Sequence, residues 1–109
     1  MKKLYAKDRK TWRDWLSKNH DKESEVWLVR YSKSSGKLCI SYDESVEEAL
    51  CFGWIDSIEK GLDSERFAGR FTPRKPQSNW SPSNRARAKR LIEQGLMTSA
   101  GHKALPEDL

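Results

Sequence analysis

The residues best suited to chemistry lie in two motifs in the second half of the 109-residue chain. One is Gly53-Trp54-Ile55-Asp56, where Asp56 is the only carboxylate embedded in an apolar run. The other is the segment 73–81, in which two prolines restrict the backbone ahead of a helix start. An arginine fork and the free N–H groups of a helix start both bind anions, so the motifs predict anion recognition. The candidate ligand-binding residues are Trp54, Asp56, Arg74, Lys75, Ser78, Trp80, Ser81 and Asn84.

Three alternatives remain open for these residues. Asp56 could act as an acid or base near Arg74, which would make the protein an enzyme of unassigned type. Asp56 and Arg74 could instead form a structural ion pair, with Trp54 and Trp80 in the core and Ser81 an ordinary helix cap. Exposed tryptophan faces would give a module that binds another protein.

Other familiar chemistries find no support in the sequence. His20 and His102 lie far apart, and neither has a cysteine or carboxylate at ligand spacing, so we expect no metal site. Nucleophile-elbow, zinc-protease and glycine-rich phosphate-binding motifs do not occur. We therefore predict no cofactor and no catalytic residue, and favour a non-enzymatic domain that binds an anionic small molecule or macromolecule.

Charge is unevenly distributed along the chain, which carries a net charge of +5. Residues 43–65 contain eight acids and one base, whereas residues 66–92 contain eight bases and no acid. Such a split predicts either a polarised surface or pairing between the two segments. A basic surface with aromatic residues would also suit nucleic acid, although no helix-turn-helix or RNP motif supports that alternative. Its candidate contacts are Arg66, Arg70, Arg85, Arg87, Lys89 and Arg90.

The elements that must position these residues follow from periodicity and caps. Helices are predicted over residues 8–19, from a capping box at Ser41 to Gly53, and from Ser81 to Gly95. Strands are predicted over residues 25–31, 38–42, 54–58 and 66–72. The order helix–hairpin–helix–hairpin–helix predicts an α+β fold with a mainly antiparallel sheet of about four strands and helices packed on it. We expect one domain over residues 1–109, with a core at about 8–97 and a C-terminal tail at 98–109.

The sequence also predicts a compartment. No apolar segment approaches the length needed to span a bilayer, and the N-terminus lacks the apolar run of a signal peptide. Cys39 and Cys51 lie in apolar runs without CxxC spacing, so we expect buried free thiols. These features predict a cytoplasmic protein that does not insert into membranes.

Several motifs together resemble the YdeI/OmpD-associated (bacteriocin-protection) family. They are residues 49–57, residues 71–76, Ser78-Asn79-Trp80-Ser81 and Asn84, with further matches between residues 12 and 101. The resemblance implies a bacterial cytoplasmic protein linked to antimicrobial or stress tolerance, with no settled biochemical activity. It also implies that the C-terminal helical segment of longer members is lacking here.

Overall fold

The computed structural model describes residues 1–75 and 79–109 and has an α+β architecture. In these residues a four-stranded mixed sheet is combined with four α-helices. The strands are β1 Lys3–Tyr5, β2 Val26–Tyr31, β3 Trp54–Gly61 and β4 Arg66–Pro73. The helices are α1 Arg9–Asn19, α2 Tyr42–Cys51, α3 Pro82–Glu93 and α4 Ser99–Lys103, with a 3₁₀ turn at Lys33–Ser35.

The sheet has the strand order β1-β2-β4-β3. Strands β3 and β4 form the predicted second hairpin, with a β-bulge between Asp56 and Glu59. Strand β4 also pairs antiparallel with β2, whereas β1 pairs parallel with the other side of β2. The sheet is therefore mixed, with β2 and β4 in the middle.

The predicted first hairpin is wrong. The turn signal is real, because the 3₁₀ turn ends at Gly36 with a φ of 72°. The returning residues 38–42 form no strand, however, and Leu38 is 76% exposed. Both sides of β2 are already occupied by β1 and β4, so no backbone edge remains for the returning segment. The segment is instead held by a backbone contact outside any strand, in which the Ile40 N–H donates to the carbonyl of Ala6.

The helix starts follow the predicted caps. The Asp8 carboxylate accepts from Thr11 N at 2.9 Å at the start of α1. Ser41 and Glu44 form a reciprocal capping box at the start of α2. Each cap satisfies backbone N–H groups that have no partner within the helix, which explains why these helices begin where they do.

Tryptophans dominate the core between the sheet and the helices. Trp12 and Trp54 are both almost completely buried. The ring of Trp12 lies 5.1 Å from Phe71, and Trp15 meets Trp54 edge-on at 5.7 Å. These ring contacts join α1 to strands β3 and β4, so they fix the sheet edge on which the candidate site depends.

A buried carboxylate clamps α1 to α2. Glu48 is 2% exposed and accepts from Arg9 Nε at 2.9 Å and from Arg13 Nη1 at 2.8 Å. Arg13 also donates to the carbonyl of Leu96 at 2.8 Å. The network therefore reaches the segment that leads into α4.

The C-terminal residues pack against the end of α2. Thr98 caps α4, and its N–H donates to the carbonyl of Cys51 at 3.1 Å. Gly101 is buried, and a Cβ there would lie 2.4 Å from the Cys51 carbonyl oxygen. The packed region therefore extends beyond residue 97, where the sequence predicts a tail. None of the described helices is long and apolar enough to cross a membrane.

Candidate functional site

A cleft of about 330 Å³ lies where the end of β4 meets α4. Its basic side chains are Arg74 and Lys75 after β4, Lys103 of α4, and His20 at the end of α1. None of the lining residues in the described part of the chain is an Asp or Glu. The permanently charged cations Arg74, Lys75 and Lys103 therefore come to the cleft from two separate parts of the fold, the end of β4 and α4.

Arg74 is the most constrained of these basic residues. Its N–H donates to the carbonyl of Gly53 at 2.8 Å, which continues the pairing of β3 with β4. Its guanidinium carbon lies 3.9 Å from the ring centroid of Trp80, and Nη1 donates to the carbonyl of Asn79 at 3.2 Å. The residue is only 8% exposed. Stacking and hydrogen bonding thus hold the guanidinium in one orientation.

Burial lowers the pKa of Arg74, while the negative charge of Asp56 opposes that shift. The direction means that removing water from the guanidinium outweighs the field of the carboxylate. Arginine nevertheless remains charged at any physiological pH, so the cleft keeps this cation.

Trp54 belongs to the core and borders the cleft as well. It is 1% exposed, and its Nε1 donates to the carbonyl of His20 at 3.2 Å. The predicted alternatives of core and pocket therefore do not exclude each other, because one residue contributes to both. Trp80 is partly buried and packs against the same core.

His20 orients its ring through a backbone contact. Its Nδ1 lies 2.9 Å from the carbonyl oxygen of Leu16, and because a carbonyl can only accept, Nδ1 is the donor. The ring lies 5.3 Å from that of Phe52, another lining residue. The remaining nitrogen, Nε2, is then the ring atom available for other contacts.

Asp56 contacts the start of α2 and does not line the cleft. Its carboxylate accepts from the Tyr42 hydroxyl at 2.9 Å. Burial, together with this hydrogen bond, raises the pKa of Tyr42 above its ordinary value. Arg74 is affected by Asp56 through charge. The structure therefore separates Asp56 from the group formed by Trp54, Arg74 and Lys75.

Ser81 is the N-cap of α3. Ser81 Oγ accepts from Asn84 N at 3.1 Å, and Asn84 Oδ1 accepts from Arg87 Nη1 at 3.1 Å. Neither Ser81 nor Asn84 is a described lining residue of the cleft. Ser78, also predicted as a ligand-binding residue, lies outside the described residues.

Most residues predicted to contact nucleic acid have carboxylate partners in the fold. Two of the pairs, Arg87 with Asp43 and Arg90 with Glu47, join the basic residues of α3 to the acidic residues of α2. Pairing therefore accounts for part of the charge split. Lys89 is exposed on α3. The other pairs are Arg66–Asp63, Arg70–Glu25 and Arg85–Asp108.

Sequence reasoning missed the contributions of α1 and α4 to the cleft. His20 and the α4 residues Ala100 and Lys103 reach it only through tertiary packing. One local signal was available, since Thr98 followed three residues later by Gly101 forms the cap of α4.

Comparisons with known proteins give a family but no activity. No curated protein and no solved structure matches the chain. The model of one protein family, described as "Domain of unknown function (DUF8412)", matches residues 4–104. The resemblance to the YdeI/OmpD-associated family stays a prediction beside this match. Because the match spans nearly the whole sequence, the chain belongs to the DUF8412 family.

Proposed function

We propose that the protein is a non-enzymatic binding domain that recognises an anionic ligand, or an anionic group of a macromolecular partner, in the cleft beside α4. The observation that supports this proposal is the charge of the cleft. Arg74, Lys75 and Lys103 converge on it, and its described lining contains no acid. Like charges gathered around a concave surface create a positive potential that attracts an anion.

Preorganisation strengthens the case. An arginine that must be ordered on binding costs conformational entropy, which weakens affinity. The side chain of Arg74 is already held by Trp80 and by the Asn79 carbonyl, so little of that cost remains. Lys75 and Lys103 are exposed and can adjust to the shape of the anion.

The proposed compartment is the cytoplasm. Cys39 and Cys51 are both free thiols, which suits a reducing environment. The proposed link to antimicrobial or stress tolerance rests on the resemblance to the YdeI/OmpD-associated family.

A thermal-shift titration with inorganic phosphate tests the proposal. At ten times its Kd, phosphate should stabilise the wild type by about 1.4 kcal/mol, or about 6 °C for a domain of this size. The double variant Lys75→Ala/Lys103→Ala should lose most of this rise. Its phosphate-free midpoint should stay the same or rise slightly, because both side chains are exposed and their removal relieves repulsion between like charges. Arg74→Ala is a poorer test, since removing a buried, stacked side chain would also destabilise the fold.

The matched control is Lys18→Ala/Lys89→Ala, which removes the same charge from exposed positions on α1 and α3. It should respond to phosphate as the wild type does. If both double variants lose the response equally, the effect is one of net charge, and the cleft is not the site.

A further inference from the structure

Apolar side chains form part of the cleft wall. Phe52 and Leu105 line it together with Ala100 of α4 and Ala104, which caps the C-terminus of that helix. We propose, building on the anion-binding function, that the ligand is a small organic acid with an apolar body. Its charged group binds the basic side chains, and its body covers the apolar wall.

The face that α4 turns to the cleft supports two separate contacts. Ala100, Lys103 and Ala104 stand at positions i, i+3 and i+4, so they share one helix face. Opposite them, a Cβ on Gly53 would lie 3.0 Å from the Ala100 carbonyl oxygen. Glycine thus allows the helix to approach closely, and two methyl groups lie beside the lysine. A ligand that touches this face meets a cation and an apolar surface together.

The size of the cleft limits the ligand. A volume of about 330 Å³ lies near the lower end of the roughly 300–1,000 Å³ that small-molecule sites occupy. The cleft therefore suits a small acid better than a large ligand. A polyanion needs an extended basic surface, and the arginines outside the cleft that could form one are paired with carboxylates.

Chemical-shift titrations with a homologous series of ligands test this inference. The probes are acetate, butyrate and hexanoate, with butanol and hexanol as uncharged counterparts and inorganic phosphate as an anion without an apolar body. The signals to follow are the backbone amides of Arg74, Ala100 and Ala104. Burying one methylene completely strengthens binding about fourfold, and the open cleft should reduce this gain to about two- to threefold. The alcohols should bind at least about tenfold more weakly than acids of equal length, because they carry no charge.

The possible outcomes separate the two proposals. If phosphate and acetate perturb the cleft amides but longer acids bind no more tightly, the anion site stands and the organic-acid inference is refuted. If no anion perturbs these amides, both proposals fail. If hexanol binds as tightly as hexanoate, the site is a simple apolar groove, which also refutes both.

A variant of the apolar wall gives a second readout. Leu105→Ala should shrink the gain per methylene while leaving acetate affinity within about twofold, because only the surface that meets the body is lost. The control is Leu38→Ala, which removes an equally large side chain that is 76% exposed and lies away from the cleft. An unchanged dependence on chain length in Leu105→Ala would overturn the assignment of the apolar wall.

Discussion

Replacing Glu48 should weaken the fold far more than replacing an exposed acid. Its carboxylate is 2% exposed and accepts from two arginines of α1. The contacts are Arg9 Nη2 at 2.7 Å and Arg13 Nη1 at 2.8 Å, with Arg9 Nε on the same oxygen as Nη2. Loss of the carboxylate would leave charged donors beside an apolar cavity.

The expected magnitude follows from the burial of the three partners. Breaking a fully buried ion pair costs about 3–5 kcal/mol. Here the Arg9 and Arg13 side chains are 38% and 32% exposed, so water can partly solvate them again. Arg9 also keeps its contact with Glu47, and Arg13 keeps the Leu96 carbonyl. We therefore expect Glu48→Ala to lower the free energy of unfolding by about 2–3 kcal/mol, below the fully buried range.

Urea unfolding followed by tryptophan fluorescence measures this change, provided that the m-value stays constant. The control is Asp14→Ala, which removes an exposed carboxylate paired with Lys10 on the same helix. Such a surface pair should contribute less than about 0.5 kcal/mol. If the two variants lost equal stability, the ion pairs of Glu48 with Arg9 and Arg13 would stabilise the fold no more than an exposed ion pair does, and the reasoning would be refuted.

Two further predictions concern the contact between α2 and α4. Gly101→Ala should destabilise by about 1–3 kcal/mol, since its Cβ would lie 2.4 Å from the Cys51 carbonyl and from Met97 Sδ. Gly61→Ala, with nothing within 4 Å, is the control, and equal unfolding midpoints would disprove the tight contact. Burial raises the pKa of Cys51 to about 11, so its thiol should stay protonated and unreactive in the native state at pH 8. A thiol reagent should then modify half-buried Cys39 first and Cys51 only on unfolding; equal native rates would contradict this.

Local signals in the sequence predict the parts of the fold that are locally determined. The caps at Asp8, Ser41 and Ser81 have the expected hydrogen bonds, because a side chain and the N–H it binds lie within three residues. Gly53 ends α2 with a φ of 75°, a conformation that glycine adopts without strain. The hairpin of β3 and β4 is predictable for the same reason, since neighbouring strands pair through a short turn.

Competition between distant segments explains the errors. The segment 38–42 has the composition of a strand, yet β1 occupies the edge of β2 that it would need. A pattern of residue types cannot predict which of two segments pairs with that edge of β2, because the pairing depends on tertiary packing. The same limit applies to the cleft, where Trp54, Arg74 and Lys75 come from the predicted motifs but His20 and Lys103 do not.

Basic side chains have different neighbours in the cleft and on strand β4 and helix α3. Arginines on β4 and α3 that could have repelled one another are matched with acids, as in the pairs of Arg70 with Glu25 and Arg87 with Asp43. In the cleft, Lys75 and Lys103 are brought towards Arg74 without an acid in the described lining. Such convergence costs folding stability, because like charges repel and Arg74 has given up water. An anion bound in the cleft would offset the repulsion between these cations, and for this reason we propose the cleft, rather than the arginines of β4 and α3, as the binding surface.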